Sequence, residues 1–274
     1  MPGHSIAAAI GPQAKKSGAG ARLLAELRRR GLLPVGERSC KLREGQLLTE
    51  RFLLGIPAGE LPREAFFELA REFGLGAAGQ ARLRQCLDGA SEIQFAFEQE
   101  GDRTLCKLYL EYWDALVQRV RDGNIGPELL NLGLKWPEAE PEKLVEDRYV
   151  CMPKLPHLDI LERLRGRQGA LGEIVAELVI WACAAVPDRS LVYLEVDDAA
   201  GGRRSYDLNL YPCRRRLADA APRLLAISDR LGCEREVLCD LLGRYGDAPL
   251  GHISGGSDRQ GRSFFTFYYE VGAL

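Results

Sequence analysis

Leu105-Cys-Lys-Leu-Tyr-Leu-Glu111, Ser205-Tyr-Asp-Leu-Asn-Leu-Tyr211 and Phe264-Phe-Thr-Phe-Tyr-Tyr-Glu270 share one pattern. In each, bulky apolar residues alternate with polar or ionisable ones, a few residues past a Gly-containing turn. Alternation with a period of two marks a strand with one face in a core. The other face carries charges and phenols in register from one stretch to the next. Such a face is either solvated or curled around a polar lumen.

Each stretch has a partner upstream. Glu92–Glu98 precedes the first, Leu191–Asp197 the second and Leu250–Ser254 the third, across connections rich in Gly and Asp. Those residues supply the positive φ that tight hairpins need. Two weaker pairs, Glu37–Leu42 with Leu47–Leu54 and Asn131–Trp136 with Arg148–Met152, make five hairpins. Between hairpins the apolar spacing becomes helical, over Arg63–Phe73, Gln80–Leu87, Tyr112–Arg121, Leu158–Leu164, Gly172–Val186, Leu217–Leu231 and Glu234–Tyr245. Phe67–Leu75 and Leu225–Cys233 read as copies, so the chain is a repeated helix–hairpin unit.

The expectation is an α+β fold in which ten antiparallel strands close into a barrel with helices outside. Closure removes the edges that an open sheet of that size must manage. By alternation Cys106, Leu108, Leu110, Leu208, Leu210, Phe265, Phe267 and Tyr269 face the helices. Gln94, Lys107, Tyr109, Glu111, Tyr193, Glu195, Asp207, Asn209, Tyr211, His252, Ser254, Thr266, Tyr268 and Glu270 then point into the lumen. Residues 21–274 read as this single barrel domain, and the Ala/Gly-rich residues 1–20 as a flexible leader.

A chain of 274 residues, 46% hydrophobic, has ample material for a core. A net charge of −2 lacks the basic surface that nucleic acid or an anionic membrane would require. No apolar run approaches the ~18 residues of a spanning helix, and the start shows no secretory signal, so a cytoplasmic location is expected. The eight cysteines form no CxxC pair and read as reduced, small buried hydrophobes rather than zinc ligands. Trp113, Trp136 and Trp181 fall on apolar faces and are expected in the core. Arg28–Arg30 and Arg214–Arg216 read as solvated helix ends, with steering of an anion at the barrel rim as the other use of such charge.

A lumen carrying Arg51, Lys107 and Lys135 among Tyr109, Tyr193 and Tyr268 suits two tasks. Cations and phenolic hydroxyls hold a multiply charged anion such as diphosphate. Aromatic faces shelter a developing carbocation. Together these describe an allylic diphosphate ionising, which is the first step of prenyl transfer. The plainer alternatives are a solvated strand face for Lys107 and Tyr109, an ion pair from Arg51 to Glu50 or Glu92, and a structural role for His252.

Glu37-Arg-Ser-Cys-Lys41, followed by Glu50-Arg-Phe-Leu-Leu54, carries a family resemblance, joined by Cys106-Lys-Leu-Tyr109 and Thr266-Phe-Tyr-Tyr269. The chain resembles the ABBA (αββα) prenyltransferases, and among them the cyanobactin-type enzymes of ribosomal peptide biosynthesis. The resemblance implies that Arg51, Lys107, Tyr109 and Tyr268 grip the diphosphate, with Lys135 and either Tyr149 or Arg148 from a middle hairpin. It implies that Glu37 orients the acceptor or takes its proton. Tyr193, Asn209, Tyr211 and His252 are expected on the acceptor side. The donor would be dimethylallyl or geranyl diphosphate, and the acceptor a side chain of a ribosomally made peptide. The alternatives are a small aromatic acceptor, or a non-catalytic barrel for an anionic or lipid ligand. One departure stands out: Asp207 and Asn209 point inward where a cation-rich site wants Lys or Arg. The Asp-Asp-x-x-Asp signature of other prenyl-transfer folds is absent, so Mg2+ is expected only as a counter-ion held by the substrate, with no ligand assigned.

Overall fold

The computed structural model describes residues 18–273. Most of the expected leader lies outside that range, and residues 18–20 already belong to helix α1 (Gly18–Arg29). One antiparallel sheet runs through β1 (Val35–Arg43), β2 (Gln46–Leu48), β3 (Arg51–Pro57), β4 (Glu92–Glu100), β5 (Arg103–Glu111), β6 (Glu128–Pro137), β7 (Val145–Cys151), β8 (Tyr193–Asp198), β9 (Arg204–Asn209), β10 (Leu250–Ser257) and β11 (Ser263–Ala273). From β3 to β11 each strand pairs with its neighbour in sequence, β2 and β3 both pair with β1, and β11 returns to pair with β1. β2 and β3 lie against successive parts of β1, like one interrupted strand, so ten strands surround the lumen. This is the closed ten-stranded barrel expected from the alternation.

The helices are α2 (Arg63–Glu72), α3 (Ala77–Cys86), α4 (Trp113–Arg121), α5 (His157–Gln168), α6 (Gly172–Cys183), α7 (Leu217–Arg230) and α8 (Arg235–Tyr245). The two copied segments end α2 and α7 in the same way. Gly74 (φ 91°) and Gly232 (φ 64°) take the left-handed conformation that lets the chain turn into the next helix. Helices α1 to α3 cover the outward apolar residues of β3 to β6, with Phe95, Leu108 and Trp136 fully buried between the layers. Helices α5 to α8 do the same for β8 to β11, over Leu208, Phe265 and Phe267. A third cluster lies at one end of the barrel, where Leu116 and Val120 of α4 meet Leu130, Tyr149, Cys151, Leu194 and Val196.

Strand β8 overturns part of the expected lumen. Tyr193 pairs with Leu208 and Glu195 with Tyr206, while Leu194 pairs with the inward Asp207. Residues opposite one another share a face, so Tyr193 and Glu195 point outward. Tyr193 is buried against the helices and stacked on Tyr206, centroids 6.2 Å apart. Glu195 pairs with Arg163 and Arg167 of α5. Among the tryptophans, Trp136 is core as expected and Trp181 is half-buried beneath Arg215 and Arg223. Trp113 is 40% exposed and lines the lumen cavity, contrary to its expected place in the core. The side chain of Glu270 lies outside the described portion. No helix among the described residues is long and apolar enough to cross a membrane.

Candidate functional site

The lumen holds a cavity of about 360 Å3 whose walls include Glu37, Arg51, Lys107, Tyr109, Asn131, Tyr149, Asn209, His252 and Tyr268. The structure thus brings together most of the residues expected there, from β1, β3, β5, β6, β7, β9, β10 and β11. Lys135 stands one layer back, bonded to the Tyr149 hydroxyl at 3.3 Å and ion-paired with Asp147. Arg148 is exposed, so Tyr149 is the inward residue of that hairpin. Tyr211 has left the strand for a short 3-10 turn, yet its hydroxyl still reaches the site and donates to Glu37 Oε1 at 2.6 Å.

One end of the lumen is built on carboxylates shared among cations. Glu98 accepts from Lys107 Nζ at 2.6 Å and Lys41 Nζ at 3.3 Å, and Arg51 Nη2 lies 3.6 Å away. Asp147, fully buried, pairs with Lys135, Arg203 and Arg259, and Arg259 also meets Asp198 at 2.7 Å. Six cationic side chains therefore share three carboxylates, and the end is electropositive. Burial, and then neighbouring cations (Arg51 for one, Arg203 for the other), push Lys41 and Lys135 down to about 8, against the pull of Glu98 and Asp147. The two carboxylates do not offset burial and the neighbouring cations. Arg51 lines the cavity, is 8% exposed, and its Nε and Nη1 have no hydrogen-bond partner among the described residues.

Between this end and the other stand three phenols. Tyr109 and Tyr149 meet edge to face at 5.7 Å, and Lys135 Nζ lies 5.8 and 5.7 Å from their ring centres. Gly133 makes room for the pair, since a Cβ there would lie 2.9 Å from Tyr109 and 3.3 Å from Tyr149. Tyr268 meets His252 at 5.9 Å. Burial raises all three phenols above their ordinary value, so they stay protonated and keep a proton to donate.

The opposite end is acidic. Glu37, Glu111 and Asp207 line the cavity, with Glu92 beside Glu111 across the β4–β5 ladder. Burial raises the Glu37 carboxyl, opposed by His252 and the Tyr211 hydroxyl, so it is a stronger base than a surface glutamate. His252 Nδ1 meets Asp207 Oδ1 at 2.9 Å. Burial disfavours the imidazolium, but Asp207 and then Glu37 and Glu111 outweigh it, lifting His252 to about 9.

No protein-family model and no curated protein sequence matches the chain. Solved structures do. 6-Dimethylallyltryptophan synthase from Micromonospora olivasterospora, solved with DMASPP and Trp, superposes over 86% of this chain and 81% of its own, with 15% identity and a TM-score of 0.57. The apo prenyltransferase PriB matches over 86% and 79%, with 17% identity and a TM-score of 0.58. NotF with brevianamide F and DMSPP matches over 88% and 80%, with 13% identity and a TM-score of 0.51. The fold is the αββα prenyltransferase barrel.

Within this αββα barrel several site residues escaped the sequence reading. Lys41 and Glu98 continue the inward alternation of Glu37–Ser39 and Gln94–Ala96, and Asp147 lies two residues before Tyr149, so period two could have found all three. Arg203 and Arg259 come from the turns flanking β9 and β10, where no periodicity points anywhere. Arg203 also answers the departure noted at Asp207, because the strand's cation stands just before its first residue.

Proposed function

We propose that the protein is a prenyltransferase that moves a dimethylallyl-type group from an allylic diphosphate to a small aromatic acceptor. The observation that carries this reading is the electropositive end of the lumen, where Arg51 presents buried, unpartnered guanidinium nitrogens beside Lys107 and three neutral phenols. An opposite charge ~4 Å away in a partly screened interior contributes about 4 kcal/mol, so two such cations hold a diphosphate firmly. Tyr109, Tyr149 and Tyr268 donate to its oxygens, while Lys135 and Arg203 add their field from behind. The C–O bond breaks with its electron pair leaving on the diphosphate. The allylic cation left behind lies against the phenol faces, each worth roughly 0.5–2 kcal/mol. The acceptor attacks the cation, and the proton it loses goes to a Glu37 carboxylate oxygen.

The donor set does not fit a divalent cation. Both lumen carboxylates nearest the proposed diphosphate, Glu98 and Asp147, are already engaged by three cationic side chains each. Any Mg2+ would arrive on the substrate's own oxygens, and no step is routed through it.

A cavity of about 360 Å3 is at the small end for ligand sites, which favours a five-carbon donor with a compact acceptor. Of the structural neighbours, one was solved with DMASPP and Trp and one with DMSPP and brevianamide F. A ribosomal peptide acceptor, expected from the sequence, is not the acceptor in either of these two. The test is incubation with dimethylallyl diphosphate and a panel of indoles, phenols and peptides, read by mass spectrometry. One isoprene unit added to an indole or phenol supports the proposal. Addition to peptides alone transfers it to that acceptor class, and donor binding without any turnover leaves a binding barrel.

A further inference from the structure

Apart from Glu37, which accepts from the Tyr211 hydroxyl, the carboxylates around this lumen fall into two groups. Glu98, Asp147, Asp198 and Asp207 each have a cationic side chain or an imidazole beside them. Glu92 and Glu111 make no such ion pair among the described residues, though His252 acts on Glu111 from further off. The two glutamates face each other across the β4–β5 ladder, and the Gln94 amide donates to Glu92 Oε1 at 2.8 Å and to Glu111 Oε2 at 3.3 Å. Gln94 spends both its protons on the pair and brings no charge, so neither carboxyl has an ion-pair partner among the described residues. Burial first, and then Glu92, hold the Glu111 carboxyl up to about 7, against the pull of His252 and the Gln94 amide.

Two independent features adjoin the pair. Asn131, opposite Glu111 on β6, lines the cavity, and its Oδ1 is buried with no hydrogen-bond partner. A carbonyl oxygen left in that state lacks a donor. Trp113 follows Glu111 by two residues, lines the same cavity and exposes its ring. Carboxylates, an orphaned carbonyl and an open aromatic face are together the receptor for a cationic N–H group. Glu37, His252 and Asp207 stand on the other side of the mouth, and His252 is spoken for by Asp207.

We infer that the acceptor carries a cationic nitrogen, ammonium or guanidinium, which docks between Glu92, Glu111 and Asn131 while its nucleophilic ring faces Glu37 and the donor. The inference rests on the prenyl-transfer reading and narrows its acceptor class. It divides the lumen between two opposite charges, an anionic donor at one end and a cationic acceptor at the other.

The test compares tryptamine, its guanidinylated analogue, N-acetyltryptamine and indole-3-propionate as acceptors. Tryptamine or the guanidine should show a KM at least ten-fold below N-acetyltryptamine, with the acid poorest, and the better of the two cations names the group. In the Glu92→Gln, Glu111→Gln double variant that ratio should collapse towards one. Equal KM for cationic and neutral indoles, or a ratio that survives the double variant, overturns the inference while leaving prenyl transfer intact. If no indole is turned over, the proposed reaction is at fault. Calorimetry of tryptamine and N-acetyltryptamine then decides the charge question alone, and equal affinities reject it.

Discussion

Removing Arg51 leaves Glu98 still paired with Lys41 and Lys107, so the lumen wall keeps its charge balance. Arg51→Ala should therefore retain the circular-dichroism spectrum and lose turnover by a hundred-fold or more, the range for deleting a donor aimed at developing charge. Glu37→Gln should slow transfer ten- to hundred-fold and leave donor affinity within about two-fold; parallel losses in both would make Glu37 a structural residue. The amines give a pH signature. Lys41 and Lys135 are held near 8 without an anion, and a diphosphate favours their protonated forms. Donor affinity is therefore complete below about 8 and falls as pH rises through it, measurable by calorimetry with a non-hydrolysable thiolodiphosphate. Lys107, Tyr109 and Tyr268 were legible because each sits on a strand whose alternation is unbroken, whereas Arg51, on the apolar run of β3, took its role from the family resemblance. Arg203 and Arg259 were not, since a side chain reaching in from a turn obeys the path of the loop and leaves no period to read.

At the level of elements, β8 shows how alternation misleads. Its sequence offers Tyr193, Glu195 and Asp197 as a polar face, and the sheet turns that face outward because α5 supplies Arg163 and Arg167 to meet it. The inward Leu194 then gives the lumen an apolar wall. Which side of a strand is polar is thus visible in sequence, while which side is inside depends on the helix that covers it. Tyr193 tests the placement: its hydroxyl is buried without a partner. Tyr193→Phe should keep full activity and raise stability, by up to about 1 kcal/mol in urea unfolding; lost activity would return Tyr193 to the site. Gly133 is the converse case, silent in sequence and placed against two rings. Gly133→Ala must move Tyr109 or Tyr149 by several tenths of an ångström and should cut kcat by at least ten-fold with little change in melting temperature. Unaltered kcat would mean those rings do not shape the reaction.

Across the whole molecule, nearly every strand pairing is local: a hairpin, or a hairpin joined to the next through one or two helices. The exception is the seam, where Val35 to Arg43 meets Phe264 to Ala273 across more than two hundred residues. Local pairings can form early, whereas the seam must wait for the longest loop in the chain to close. The ionisable groups that later face each other across the lumen are hydrated until that moment, so their desolvation falls at the end of folding. A weakening substitution in the seam, such as Phe267→Ala, should accelerate unfolding far more than it retards refolding. Stopped-flow chevrons would expose the contrary case, a slowed folding limb, in which the first and last strands find each other at the outset. With the seam closing last, the barrel is a purse drawn shut by its final stitch: for most of its assembly a curved, open sheet with every charge still wet.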